Sequence, residues 1–298
     1  MTGSTKNQHY VPQSYIDRFA VNGKISVFFK EDNRILLNQN SRNYAANRYY
    51  YDASRVELET LLRDSVQLIP EFQQLINWDD PQLIEHYFSR SEADAKELFD
   101  AVEKDPSLLD ADASVARIAI FLHDLGYRNQ AYRDGISKIN KCTYQALAKM
   151  NLTEDQRLYA ERTYGQEQAR NQQLHAITDI APVLQTYQKL FGEYDLYFAT
   201  AEKDACFIIS DDPVFFVRFG LPEICFPLSG KHALLFRKPG AIAPIMGTDV
   251  PVGKRISISI PNVVRYNLLQ FCAALRYVFG DNHNLEQMKL LWEHRNRK

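Results

Sequence analysis

The chain has 298 residues, 45% of them hydrophobic, and sets 35 Lys and Arg against 37 Asp and Glu for a formal charge of -2. That length allows one large domain or two ordinary ones, each with a sizeable core. The charge balance excludes a wholly basic surface built to hold bulk polyanions, though it leaves room for a local basic groove.

The opening MTGSTKNQ lacks the apolar stretch of a secretory leader. The next segment, HYVPQSYIDRFA (His9 to Ala20), concentrates side-chain chemistry. Pro12 fixes its own backbone and restricts Val11 to an extended shape. Tyr15, Ile16 and Phe19 supply an apolar anchor at short helical spacing, leaving His9, Tyr10 and Gln13 to face a common cavity. GKISVFFKEDNRILLNQ reads as a hairpin: Ile25, Val27 and Phe29 alternate, EDN turns, and Ile35 and Leu37 return. SRNYAANRYYYD follows, and its tyrosines Tyr44, Tyr49, Tyr50 and Tyr51 suit either strand packing or base stacking.

Ser54 and Glu57 then form a capping box, and Val56, Leu61, Leu62, Val66 and Ile69 continue a helix to Pro70. PQLIEHYF and SEADAKELFDAV are shorter helical patterns. DASVARIAIFLHDLGYRNQAYRDGI is the most apolar helix of the middle block, and a Thr153 cap opens one or two long helices with a break near Pro182. After Gly192 the texture is β: DLYFAT, ACFIIS, VFFVRF, EICFPL, HALLFR and RISISI. PNVVRYNLLQFCAALRYVF and NLEQMKLLWEHR return to helix. The fold class is therefore α+β, read as a single unit: residues 1–52 a signature and hairpin, 53–191 a helical block, 192–298 a sheet with closing helices. No apolar run reaches the about 20 residues that span a bilayer. Cys142, Cys206, Cys225 and Cys272 lie too far apart for paired zinc ligands, and read as buried thiols in a reducing compartment, the cytoplasm.

Two stretches carry candidate chemistry. In IISDDPVFF an apolar strand delivers Ser210, Asp211 and Asp212 to a turn closed by Pro213. Paired carboxylates there can hold Mg²⁺ or Mn²⁺ or position a water, although Ser-Asp-Asp-Pro is also ordinary turn chemistry. On ASVARIAIFLHDLGYRN, Val115, Ile118, Ala119, Leu122 and Leu125 share an apolar face, while Arg117, Asp124 and Arg128 fall on another. Exposed, that second face is a plain salt-bridged surface; covered by the N-terminal segment, it becomes an anion clamp. Arg117 and His123 also fit the permissive Arg-x(4–6)-His pattern of the HEPN ribonucleases, but six residues apart they diverge by about 120° on one helix. No glycine-rich nucleotide loop, HExxH or GxSxG motif is present.

HYVPQSYIDRFA with its hairpin and YAANRYYY, then FLHDLGYR, SDDPV, FPLS (Phe226 to Ser229) and RYNLLQFCAALRYVF resemble, in order, the motifs of the DUF4238 family. The resemblance runs nearly end to end and marks Asn267 as a family position; many members carry a Gln where this chain has Leu125. It implies architecture and positions but no reaction.

Two functions compete. In the first the protein is a hydrolase of a phosphodiester or other anionic substrate such as nucleic acid, a nuclease-like effector of the kind found in anti-phage defence. His9 is then general acid or base, Asp211 and Asp212 hold metal or water, Arg128 neutralises developing charge, and Tyr10, Gln13, Arg117 and Asn267 bind substrate. In the second it is a binding or sensor module, and the same residues form a structural polar network.

Overall fold

The computed structural model describes residues 6–68, 74, 76–165, 168–214, 221–240 and 251–296. The chain is α+β, with three small sheets among the described residues around a helical middle. β1 (Asn7–His9) pairs antiparallel with β4 (Ala46–Arg48), His9 opposite Ala46. Between them come a short helix α1 (Gln13–Ile16) and the hairpin β2 (Ile25–Phe29) and β3 (Arg34–Gln39). Pro12 stands at the N-cap of α1, and Tyr15, Ile16 and Phe19 are buried as the anchor reading requires.

The hairpin does not stand alone. Its sheet has the order β3-β2-β10-β6, with β6 Ile209–Ser210 and β10 Tyr277–Gly280, and every pairing is antiparallel. RYVF, expected as the tail of a helix, is therefore mostly strand β10. Ala274 turns the backbone extended, and Val278 and Phe279 are buried in the sheet. Both faces of β2 are covered, since Val27 joins the larger apolar cluster while Phe28 packs in a second one with Phe271 and Trp292. Leu37 points the other way, 51% exposed on the outer strand. ACFIIS contributes only the two residues of β6 to a strand.

The third sheet, β7-β8-β5-β9, uses β5 Asp195–Ala201, β7 Glu223–Pro227, β8 His232–Arg237 and β9 Arg255–Ile258, with only β5 and β9 parallel. Its residues Phe198, Phe226 and Phe236 are fully buried. VFFVRF, apart from Val214, lies outside the described residues, as do Ile69 and Pro70.

The helical block comprises α2 (Arg55–Leu61), α3 (Arg63–Leu68), α4 (Leu83–Lys104), α5 (Asp112–Arg128), α6 (Gln130–Leu147), α7 (Glu154–Tyr164), α8 (Gln168–Thr178) and α9 (Ile180–Glu193). The Ser54–Glu57 capping box and the Thr153 cap both form. Four boundaries differ from the sequence reading, the first being a stop at Gly165 that divides the Thr153 segment into three helices where one or two were expected. The two patterns ending at Val102 are one helix, α4. The apolar middle helix stops at Arg128, because Asn129 is extended and its Oδ1 accepts the Tyr132 N–H to start α6. The break near Pro182 falls at Asp179, whose carboxylate caps Ala181, so Pro182 sits in the first turn of α9, where no N–H is needed. Helices α10 (Ile260–Ala273) and α11 (Asn282–Asn296) flank β10. Among the described residues no helix is long and apolar enough to cross a membrane.

Candidate functional site

Arg128 ends α5 as a fully buried guanidinium, 1% exposed. Its Nη2 donates to the main-chain oxygen of His9 (2.5 Å) and to Glu92 Oε1 on α4 (2.7 Å), and its Cζ lies 4.4 Å from the Phe88 ring centre. The Tyr51 hydroxyl donates to the Arg128 carbonyl at 2.8 Å. The N-terminal segment covers this face of α5 only at Arg128; Asp124 and Arg117 are covered by α4 instead. The arginine meets a carboxylate and a carbonyl there rather than an open anion site. Asp124 does not pair with Arg128. Its oxygens accept from Ser91 Oγ (2.6 Å) and Tyr87 Oη (3.2 Å), and burial pushes its carboxyl up to about 7. Glu85, one helical stretch before Glu92, is likewise pushed up to about 7, chiefly by burial and further by the charges of Glu92 and Asp52.

His9 is half-buried at the end of β1, its Nε2 3.3 Å from the Arg42 carbonyl oxygen. Burial lowers its pKa, and Arg128 lowers it further, against the opposing fields of Glu92 and Asp17, so the ring is neutral near pH 7. Tyr10 is 2% exposed, and burial, with Asp211 adding to it, drives its phenol far up. Gln13 lies half-buried in α1.

The acidic turn comes to the same region through main-chain bonds. Asp211 takes the amides of Leu275 (2.7 Å) and Arg276 (2.8 Å), so its carboxylate caps the turn between α10 and β10; burial still pushes it up to about 6. Asp212 Oδ1 accepts from Asn129 Nδ2 at 3.1 Å. Asn267 Oδ1 accepts from the Ile208 N–H (3.0 Å) while its Nδ2 donates to the Cys206 carbonyl (2.8 Å). One turn on, Gln270 Oε1 accepts from the Ser210 N–H and hydroxyl and Nε2 donates to the Pro213 carbonyl. These two amides stand in for a neighbouring strand along the outer edge of β6, satisfying main-chain groups that burial would otherwise strand.

The positions 9–10, 128–129 and 211–212 are thus brought together, by His9–Arg128 and Asn129–Asp212 bonds and by the field of Asp211 at Tyr10. Arg117 is not among them: its Nη2 donates to the Asp94 carbonyl on α4. His123, its partner in the ribonuclease pattern, is 1% exposed, stacks 4.5 Å from Tyr127, and faces α8 around Ala176 and Ile177. The sheets also depart from an all-helical ribonuclease. Among the described residues no group of three or more His, Cys, Asp or Glu is placed to share a metal ion. A groove of about 560 Å³ along the outer face of α4 is lined by Lys96, Glu97, Asp100 and Lys104 with two alanines, and by none of the residues above.

Glu92, Asn129 and Gln8 belong to this centre and carry no motif, and Gln270 belongs to it as an unremarked residue of RYNLLQFCAALRYVF. Gln8 is buried, donates to Asp52 Oδ1 and accepts the Tyr51 N–H (2.6 Å), which fixes the tyrosine run against β1. The family described as "Protein of unknown function (DUF4238)" matches residues 7–284, which takes in every one of these positions. No curated protein and no solved structure matches the chain.

Proposed function

We propose that this chain, which belongs to the DUF4238 family of proteins of unknown function, is a binding or sensing module whose signature residues hold the fold instead of turning over a substrate. One observation carries the reading. Arg128, Asp211, Asp212 and Asn267 are each at most 4% exposed, and the hydrogen bonds each makes run to groups of the chain itself, although Arg128 Nε is left without a partner among the described residues. Buried polar networks that are satisfied in this way specify a unique packing. The test is to incubate the protein with DNA, RNA and a generic phosphodiester, with and without Mg²⁺ or Mn²⁺, beside His9→Ala and Asp211→Asn. We expect no turnover, and a clear drop in melting temperature for Asp211→Asn. Wild-type turnover that disappears in His9→Ala at unchanged melting temperature refutes the reading.

A second reading is the hydrolase of a phosphodiester or other anionic substrate, a nuclease-like effector in anti-phage defence. It is favoured by the acid–base groups near Arg128. His9 is half-buried and held neutral, suited to a general base, while Glu85 and Asp124 have carboxyls raised to about 7, suited to general acids. In that reading a Mg²⁺ or Mn²⁺ requirement falls on Asp211 and Asp212, and the metal arms of the same assay decide it.

A further inference from the structure

The helical hairpin of α6 and α7 is thinly anchored to the rest of the fold. From Ser137 to the end of α6 only Asn140 is buried, its Nδ2 donating to Gln172 Oε1 on α8 at 3.0 Å, while Thr143 and Leu147 are half-buried. α7 buries Ala160 alone. The two helices pack on each other, yet they leave large apolar side chains in water. Ile139 is 66% exposed, Leu158 46% and Tyr159 67%, and Tyr144 and Met150 are exposed as well. Apolar side chains gathered in this way mark a contact surface.

Charge edges these side chains, with opposite sign on the two helices. On α6, Ile139, Cys142 and Ala146 recur at helical spacing as one exposed stripe, and Lys138, Lys141 and Gln145, each one residue earlier, run along its edge. On α7, Leu158 shares a face with Glu154, four residues before it, and Glu161, three residues after, and Asp155 lies one turn before Tyr159. Lys138, Lys141, Glu154, Asp155 and Glu161 are all exposed, and none is in an ion pair among the described residues. One helix thus offers an apolar stripe edged with cations, and its neighbour offers apolar residues edged with carboxylates.

We infer that this hairpin is a self-association surface, on which two copies of the chain meet about a two-fold axis with α6 of each against α7 of the other. A two-fold makes the same contact twice, so a surface complementary to itself is what it requires. Ile139 of one copy then covers Leu158 of the other, and the lysines of each α6 face the carboxylates of the opposite α7. The mixture of signs also decides the occupant. An anionic membrane or a nucleic acid suits Lys138 and Lys141 but meets Glu154, Asp155 and Glu161 alongside them, whereas a second copy brings the opposite charge to each helix. The inference goes beyond the binding reading and does not rest on it, because the surface uses none of the residues of the buried network.

Sedimentation velocity of the full chain across about 1–100 μM tests it. The wild type is expected to show a monomer–dimer equilibrium. Ile139→Asp changes an exposed side chain and is expected to weaken the dimer about tenfold or more, at an unchanged melting temperature of the monomer. Lys138→Glu/Lys141→Glu leaves both helices acidic, and Glu154→Lys/Glu161→Lys leaves both basic, so each variant alone is expected to lose the dimer. Mixed in equal amounts they are expected to regain it as a heterodimer, because each then supplies the charge that the other lacks. A wild type that stays monomeric throughout, a dimer indifferent to Ile139→Asp, or a mixture that associates no better than its components overturns the surface. Binding of a monomeric wild type to phosphatidylserine vesicles, lost in Lys138→Glu/Lys141→Glu, gives the face to a membrane and overturns it too.

Discussion

Replacing Arg128 with Met separates a structural role from a catalytic one. The substitution keeps an unbranched apolar stem but removes the charge together with the Cζ group that lies over Phe88. It leaves the His9 carbonyl without a donor, at about 1–3 kcal/mol, and it leaves Glu92 without its cation. A fully buried pair broken from one side costs about 3–5 kcal/mol. Glu92 keeps 23% of its side-chain surface, so water recovers part of that. The combined loss is about 3–7 kcal/mol. Unfolding entropy of about 2.1 cal/mol/K per residue, taken over 298 residues, converts it to a fall of about 5–11 °C in melting temperature. Differential scanning calorimetry measures the single variants Arg128→Met and Glu92→Gln and their double mutant. The cycle is expected to return a coupling of at least about 1 kcal/mol. If Arg128→Met melts within about a degree of wild type while ligand binding or turnover vanishes, the arginine serves a ligand and the reasoning fails.

Two further predictions concern burial. The carboxyls of Glu85 and Asp124, pushed up to about 7, and of Asp211, pushed up to about 6, bind protons in the fold that the unfolded chain has already released. Their contribution to stability is full below about pH 4 and is lost as pH rises toward about 7. His123, pushed down to about 4, and His9, also lowered chiefly by burial, work against them, losing stability as pH falls below about 6.5, but three groups outweigh two. The melting temperature is therefore expected to fall between about pH 5 and pH 8, and less steeply in Asp124→Asn; identical slopes refute the assignment. Separately, a Cβ on Gly280 would lie 2.5 Å from Ile208 Cγ2 and 3.1 Å from its Cβ. Gly280→Ala is expected to cost about 1–3 kcal/mol by overpacking, with part regained in the Gly280→Ala/Ile208→Val double variant. A neutral single variant in urea unfolding contradicts the close approach.

Local chemistry made much of the fold legible. Ser54 and Thr153 announce their helices because a cap needs one hydroxyl at one place, and EICFPL and HALLFR read as strands because β-rich apolar runs between turn residues allow little else. The break at Asn129 was hidden inside continuing apolar periodicity, where the cap itself looks like one more polar residue, and the one expected near Pro182 was displaced to Asp179 for the same reason. RYVF was hidden for the opposite reason: it extends a helical pattern, and only its pairing with β2, far back in the chain, makes it a strand. The approach of Arg128 to His9 was expected, but it runs through the main-chain oxygen of His9 and not its imidazole, and the groups that hold the region were not legible. Glu92 and Gln8 are single polar residues with no spacing to betray them, while Gln270 lay one helical turn after Asn267 in a quoted motif and was passed over. Arg117 shows the limit of angular reasoning. Eleven residues before Arg128 it shares a helical face, yet it stands about 16 Å along the axis and engages Asp94 instead.

The pairing of β2 with β10 joins Phe29 to Tyr277 across almost the whole chain. During synthesis the hairpin emerges early and then waits, one buried edge open, for a strand translated some 250 residues later; at about 5–20 residues per second that is tens of seconds. Until β10 arrives, Phe28 lacks its cover from Phe271 and Trp292, and the nascent chain carries a greasy, unpaired ribbon. This protein is expected to lean on ribosome-bound holdases, and to be acutely sensitive to C-terminal truncation before Tyr277.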